Sequence, residues 1–196
     1  MTIQRRKFLQ LSAVAAATPM VQACSGDEHA ASLDKRYPIG PFGADSTAEE
    51  VTEGLDLSGR VAMVTGCNSG LGYETMRVLA KRGAHVLGTA RTLDKAVAAC
   101  ESVEGTTTPL MLELSDFQTA ISCASAAQMM GLTPDILVCN AGINTFGDLE
   151  LVEGIEKHFV VNFLGHFVLV NRLLPTMLGR GSRRIVHVGS ASGSVS

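Results

Sequence analysis

Eight residues restrict this chain more than any others: Thr65-Gly66-Cys67-Asn68-Ser69-Gly70-Leu71-Gly72, spaced T-G-x-x-x-G-x-G. A short apolar run at 61–65 precedes them. A segment with Leu71, Met76, Val78 and Leu79 at helical spacing follows and stops at Gly83. The pattern is a strand that enters a glycine-rich turn and leaves it as a helix. Gly66 permits a tight turn off the strand. Gly70 removes a side chain where backbone has to approach a pyrophosphate. Gly72 lets the helix lie close to the sheet. The free N–H groups and positive dipole end of the helix then face the phosphates, and Asn68, Ser69 and Leu71 complete the turn.

The same alternation continues along the chain. Strands are predicted at 61–65, 85–90, 110–114, 136–139 and 184–188. Helices are predicted at 70–82, 93–103, 116–130 (capped by Ser115) and from about 152 to 178. Ser46 or Thr47, ahead of Glu49-Glu50, reads as the cap of a short helical turn. Strands and helices in this period give a parallel sheet covered on both faces. The predicted fold is therefore α/β, a doubly wound Rossmann sheet of order 3-2-1-4-5, with ligand at the strand C-termini. Composition agrees: 46% of the 196 residues are apolar and 18% charged. The net charge of −3 excludes the broad basic surface that nucleic acid requires.

The N-terminus reads as an address. Arg5-Arg6-Lys7 precedes an apolar run at 8–21 that is interrupted by Gln10, Ser12 and Pro19. That run is short of the roughly 20 apolar residues a bilayer-crossing helix needs. The layout is that of a secretion signal, and the paired arginines before Lys-Phe-Leu resemble a bacterial twin-arginine signal. Residues 1–23 are thus expected to be a signal peptide and 24–45 a tether. Val21-Gln22-Ala23-Cys24 resembles a lipobox, which would make Cys24 a lipid anchor; plain cleavage after Ala23 is the other reading. The expected location is outside the bacterial cytoplasm, either periplasmic or membrane-anchored. Cys67, Cys100, Cys123 and Cys139 show no metal-ligand spacing and read as buried thiols.

Further motifs follow in order. Asn140-Ala141-Gly142 comes after the fourth strand, Val161-Asn162-Phe163-Leu164-Gly165-His166-Phe167 lies in the long helix, and Val188-Gly189-Ser190 ends the fifth strand. Together with the glycine turn they resemble the short-chain dehydrogenase/reductase family over residues 46–196. Within it, the run from Asn162 to Phe167 is most similar to retinol dehydrogenases and WW-domain oxidoreductases. The resemblance implies that Asn140, Ala141 and Gly142 line the cofactor site, that Glu113 and Leu114 lie beside adenine, and that Asn162 and Ser190 are catalytic. The end of the second strand, Gly88-Thr89-Ala90-Arg91, carries no acid for ribose hydroxyls. Arg91 there favours the 2′-phosphate of NADP, with NAD left open. His166 and His187 read as structural histidines.

The implied chemistry is hydride transfer between a nicotinamide and a small carbonyl/alcohol pair, with Ser190 polarising the carbonyl and Asn162 supporting a proton relay. The family also uses a Tyr-x-x-x-Lys pair. The tyrosines of this sequence are Tyr37 and Tyr73, and neither has Lys at the fourth place after it. Residues 46–196 are therefore expected to be an incomplete NAD(P)-binding domain, inactive as it stands and homo-oligomeric when complete. A non-catalytic nucleotide-binding module or redox sensor remains the alternative at this point.

Overall fold

The computed structural model describes residues 41–43, 45–145, 147–179 and 181–189. The signal peptide, Cys24, most of the tether and Ser190 lie outside them. The chain divides into two units, Met1–Ser46 and Thr47–Ser196. In the described part of the first, the Gly43 N–H donates to Ser46 Oγ.

The second unit opens with α1 (Ala48–Val51). Thr47 caps it: its hydroxyl accepts from Glu50 N–H at 3.2 Å while the Glu50 carboxylate accepts from Thr47 N–H at 2.7 Å. Then follow β1 (Val61–Thr65), α2 (Gly70–Lys81), β2 (His85–Ala90), α3 (Leu93–Glu101), β3 (Thr107–Met111), α4 (Phe117–Met129) and β4 (Ile136–Cys139). A hairpin of β5 (Leu151–Val152) and β6 (Ile155–Glu156) leads into the helix α5 (Lys157–Leu178), and β7 (Arg184–His187) is the last described strand.

The main sheet is parallel in the order β3-β2-β1-β4-β7. This is the predicted doubly wound order, its fifth strand being seventh in the chain because the hairpin intervenes. Successive side chains point to opposite faces of a strand, and the core divides accordingly. Met63, Leu87 and Leu137 meet α4 and α5 through Ala120, Cys123, Ala127, Leu169, Leu173 and Met177. Ala62, Val64, Val86 and Val138 meet α2 and α3 through Met76, Ala80, Ala99 and Cys100. Leu169 and Leu173 are fully buried, each contributing about 1.5–3 kcal/mol from apolar surface removed from water. At the other end of the sheet from the glycine turn, Asp135 accepts from Val61 N–H at 2.8 Å and pairs with Arg60 and Arg183, tying together the starts of β1, β4 and β7.

Several predicted boundaries shift. β3 runs from Thr107, three residues before the expected start, because Thr107 to Met111 register against Val86 to Ala90 of β2. Pro109 is tolerated since β3 bonds a strand on one side only. The cap of α4 is Asp116, whose carboxylate accepts from Gln118 N–H at 2.9 Å, rather than Ser115. α3 stops at Glu101 and α5 starts at Lys157; the residues from Leu151 to Glu156 form the hairpin instead of the predicted first helical turn.

Candidate functional site: a cleft at the strand C-termini

β1 delivers Gly66 and Gly70 in the left-handed region, at φ +70° and +58°. A side chain at Gly66 would press on Ala141 at 3.0 Å, whereas one at Gly70 would meet nothing within 4 Å. Gly70 is thus required by backbone conformation and faces open space at the start of α2, as a phosphate-binding turn requires. Gly72 lets the first turn of α2 lie close to the ends of β1 and β4. A Cβ there would strike the Gly66 carbonyl oxygen and come within 2.5 Å of Asn140 Nδ2, the residues that leave β1 and β4.

The turn is braced by β4. The Thr65 hydroxyl accepts from Asn140 N–H and Ala141 N–H, both at 2.9 Å, and the Asn140 side-chain amide donates to the Thr65 carbonyl at 3.0 Å. Thr65 is wholly buried. Asn140 and Ala141 are thus tied to the end of β1 through the hydroxyl and the carbonyl of one residue, Thr65.

Beside this junction opens a cleft of about 580 Å³. Gly66, Asn68, Ser69, Arg91, Glu113, Leu114, Asn140, Ala141 and Gly142 line it, nine of the residues singled out from the sequence. Gly70, Leu71 and Gly72 do not line it, and the Leu71 side chain is 73% exposed. Lining residues that sequence reasoning missed include Ser115, Ile143, Thr145 and Lys157. Ile143 follows the Asn-Ala-Gly run directly and was within reach of sequence reading; Lys157 is brought in by the unforeseen hairpin.

Charges in the cleft are unequal. Among the described residues the Arg91 guanidinium has no hydrogen-bond or ion-pair partner. Lys157 Nζ pairs with Glu150 at 2.5 Å, which holds the Glu150 carboxyl below its ordinary range. Glu113 folds back, its Oε1 accepting from Ser115 N–H at 3.0 Å and from the Ser115 hydroxyl at 2.8 Å. Thr145 is held at the rim by His158, whose Nε2 accepts from the Thr145 N–H at 3.1 Å while Nδ1 lies 2.6 Å from Glu156.

Asn162 sits outside this cleft, on a π-helical turn (Val160–Leu164) inside α5. Its side chain clamps the main chain of Ile143: Oδ1 accepts from Ile143 N–H at 2.8 Å and Nδ2 donates to Ile143 O at 2.9 Å. A second, smaller hollow of about 370 Å³ adjoins it, lined by Cys139, Asn162, Phe163, His166, Phe167 and His187 among others. Gly165 lets α5 approach the end of the third strand's extension, because a Cβ there would strike the Leu114 main chain. Val188 N–H donates to Cys139 O at 3.0 Å, which brings the approach to Ser190 beside the end of β4; Ser190 itself lies outside the described residues. All four described cysteines are buried, and loss of hydration pushes Cys123 and Cys139 up to about 12, the state of unreactive thiols.

A 3-2-1-4 parallel sheet with a glycine turn opening a helix at its C-terminal edge defines a doubly wound α/β domain of the Rossmann type. The chain belongs to the short chain dehydrogenase family, whose sequence profile matches residues 60–196. It is 36% identical over 157 residues to the WW domain-containing oxidoreductase of Gallus gallus, covering 77% of this chain and 38% of that protein. It is 33% identical over 144 residues to retinol dehydrogenase 11 of Homo sapiens, covering 71% and 45%. The chain thus spans less than half the length of these curated relatives. Among solved structures, a metagenomic short-chain oxidoreductase in complex with NADP superposes with a TM-score of 0.63 at 27% identity, covering 71% of this chain and 66% of that one.

Proposed function

We propose that the cleft binds NADP(H), and that the protein to which these residues belong interconverts a small-molecule carbonyl and alcohol. The observation that carries this reading is Arg91 at the end of β2, a guanidinium lining the cleft without a described partner, where no acid stands to receive ribose hydroxyls. A planar guanidinium suits a phosphate dianion well. Open space at Gly70 and the N-terminus of α2 would take the pyrophosphate, and Ala141, Gly142 and Leu114 would flank the nucleoside. Bound NADPH would supply a hydride. Asn162 would hold the main chain beside the transfer site, and Ser190 would donate a hydrogen bond to the carbonyl oxygen.

The 196-residue chain is expected to bind the nucleotide without turnover. Tyr73 donates to or accepts from Ser102 Oγ at 3.0 Å, on the α3 side of α2, and so is no proton donor for the cleft. A non-catalytic module gives the same result with this chain; reading the coding frame beyond Ser196 separates the two, since a following Tyr-x-x-x-Lys supports the enzyme. Export through residues 1–23, lipidation or simple cleavage around Cys24, and self-association of the protein belong to the same proposal. Mass analysis of the N-terminus of the mature protein tests the first two.

Fluorescence titration tests the cofactor assignment. NADPH is expected to bind more tightly than NADH by about tenfold or more, since a charge-assisted hydrogen bond contributes about 1.5–3 kcal/mol. Arg91→Ala is expected to remove the difference and leave NADH affinity unchanged. Equal affinity for both nucleotides in the unaltered chain would contradict the NADP assignment, and no binding of either would contradict the reading of the cleft.

A further inference from the structure

His166 is 3% exposed and lies where α5 meets β1, facing Thr65 of β1 and the Asn162 main chain of its own helix. The sequence treats it as a packed structural histidine; the hydrogen bonds give it a more specific task. A hydroxyl has two acceptor lone pairs and one proton. Both lone pairs of Thr65 Oγ1 are taken, by Asn140 N–H and Ala141 N–H at 2.9 Å each. Its proton is left for His166 Nε2, also 2.9 Å away. Nε2 is therefore the acceptor, and the neutral ring carries its own proton on Nδ1, which faces the Asn162 carbonyl at 3.4 Å. The Asn162 side chain is engaged at both ends by Ile143. Residue 162 is thus held from two sides, by Ile143 through its amide and by His166 through its carbonyl.

We propose that His166 is a positioning residue: through the Thr65 hydroxyl and the Asn162 carbonyl it fixes the main chain of Asn162 against the Asn140-Ala141-Gly142 turn, as a neutral ring protonated on Nδ1. Its relevance to hydride transfer rests on the reading of Asn162 and the cleft given above; the hydrogen-bond chain does not. Placing a main-chain carbonyl beside a nucleotide turn is the kind of geometric constraint on which the rate of an oriented reaction depends. Burial supports the neutral form by removing the hydration an imidazolium needs, and the neighbouring His187 acts in the same direction.

The test uses the full 196-residue chain labelled with ¹⁵N-histidine. Multiple-bond ¹H–¹⁵N correlation at neutral pH is expected to show His166 with Nδ1 protonated and Nε2 bare; the opposite tautomer or a cationic ring overturns the proposal. Amide exchange is then compared in three variants. His166→Gln can still accept from Thr65, His166→Asn cannot reach it, and His166→Phe keeps the ring shape without either bond. Exchange at Asn140 and Ala141 is expected to rise about tenfold or more in His166→Phe and His166→Asn, and to stay near the original in His166→Gln. A residue that only fills space would give the reverse order, with Phe closest to the original. If His166→Phe does not fold, the Gln and Asn pair decides, and equal exchange in both contradicts the proposal. NADPH titration of the unaltered chain is run alongside. Failure to bind would strike the cleft assignment, while the tautomer and the exchange order would still judge His166.

Discussion

Asn140 reaches from the end of β4 to the end of β1 and holds Thr65 at two points: its main-chain N–H donates to the Thr65 hydroxyl at 2.9 Å and its side-chain amide to the Thr65 carbonyl at 3.0 Å. The two strands are neighbours in the sheet, pairing from Ala62 with Ile136 to Val64 with Val138. The Asn140 bonds extend that pairing past the last ladder rung, where the glycine turn leaves β1. The turn and the cleft wall are thereby set in one geometry before any ligand arrives.

Thr65→Val preserves shape and removes the acceptor for two N–H groups. A loss of about 1–3 kcal/mol is expected, because unpaired buried donors cost most of their desolvation energy. Thr65→Ser keeps the hydroxyl and is expected to lose less, chiefly the methyl contact. Urea denaturation measures both; a valine variant as stable as the serine variant would show that the hydroxyl is not what braces the turn.

Gly70→Ala and Gly72→Ala separate two reasons for glycine. At Gly70 there is room for a Cβ, and the penalty is the left-handed backbone alone, about 1–2 kcal/mol. At Gly72 the added carbon meets the Gly66 carbonyl and the Asn140 amide, so the turn itself has to move. Gly72→Ala is expected to be the more destabilising of the two in thermal or urea unfolding. A milder effect at 72 than at 70 would contradict the close approach.

Acid is expected to weaken the fold through His166. Burial lowers its folded value below the ordinary 6.5, outweighing the opposite pull of the Asn162 carbonyl, and His187 adds to the lowering. Between the two values the unfolded chain binds more protons than the folded one, so stability rises with pH. The contribution is fully present above about pH 6.5 and is lost as pH falls through the folded value, with a slope of at most about 1.4 kcal/mol per pH unit. Urea titrations at about pH 7.5 and about pH 5.5 check this. The unaltered chain is expected to lose more stability across that interval than His166→Gln, which has no ring to protonate.

Much of this fold was legible because buried parallel strands leave continuous apolar runs. Val61–Thr65, His85–Ala90 and Ile136–Cys139 have the bounds their sequences suggest. β3 was misplaced because its first residues are threonines and a proline, while the apolar stretch after it turns off the sheet: Leu112 and Leu114 are buried beyond the strand's end, and Met111 is about half exposed. The hairpin has strands of two residues, too short to show a period. Its turn is Glu153-Gly154, both at positive φ, without the usual Asn or Asp in first place. Glu156 then caps α5, accepting from His158 and Phe159 N–H, a role sequence patterns assign to shorter side chains. The glycine turn, Arg91 and the Asn-Ala-Gly run declared the cleft in sequence because each must sit at a strand end. The link from His166 to Thr65 joins residues 101 positions apart and follows only from tertiary packing.

Hydrogen–deuterium exchange of the 196-residue chain with and without NADPH bears most directly on the cleft. Protection is expected in the segments carrying Gly66 to Gly72, Ala90-Arg91, Leu112 to Ser115 and Asn140 to Thr145, with little change in the exposed segment around Met129. No protection at saturating NADPH, or protection confined to the hollow around Phe163, Phe167 and His187, would contradict the assignment of this cleft as the nucleotide site.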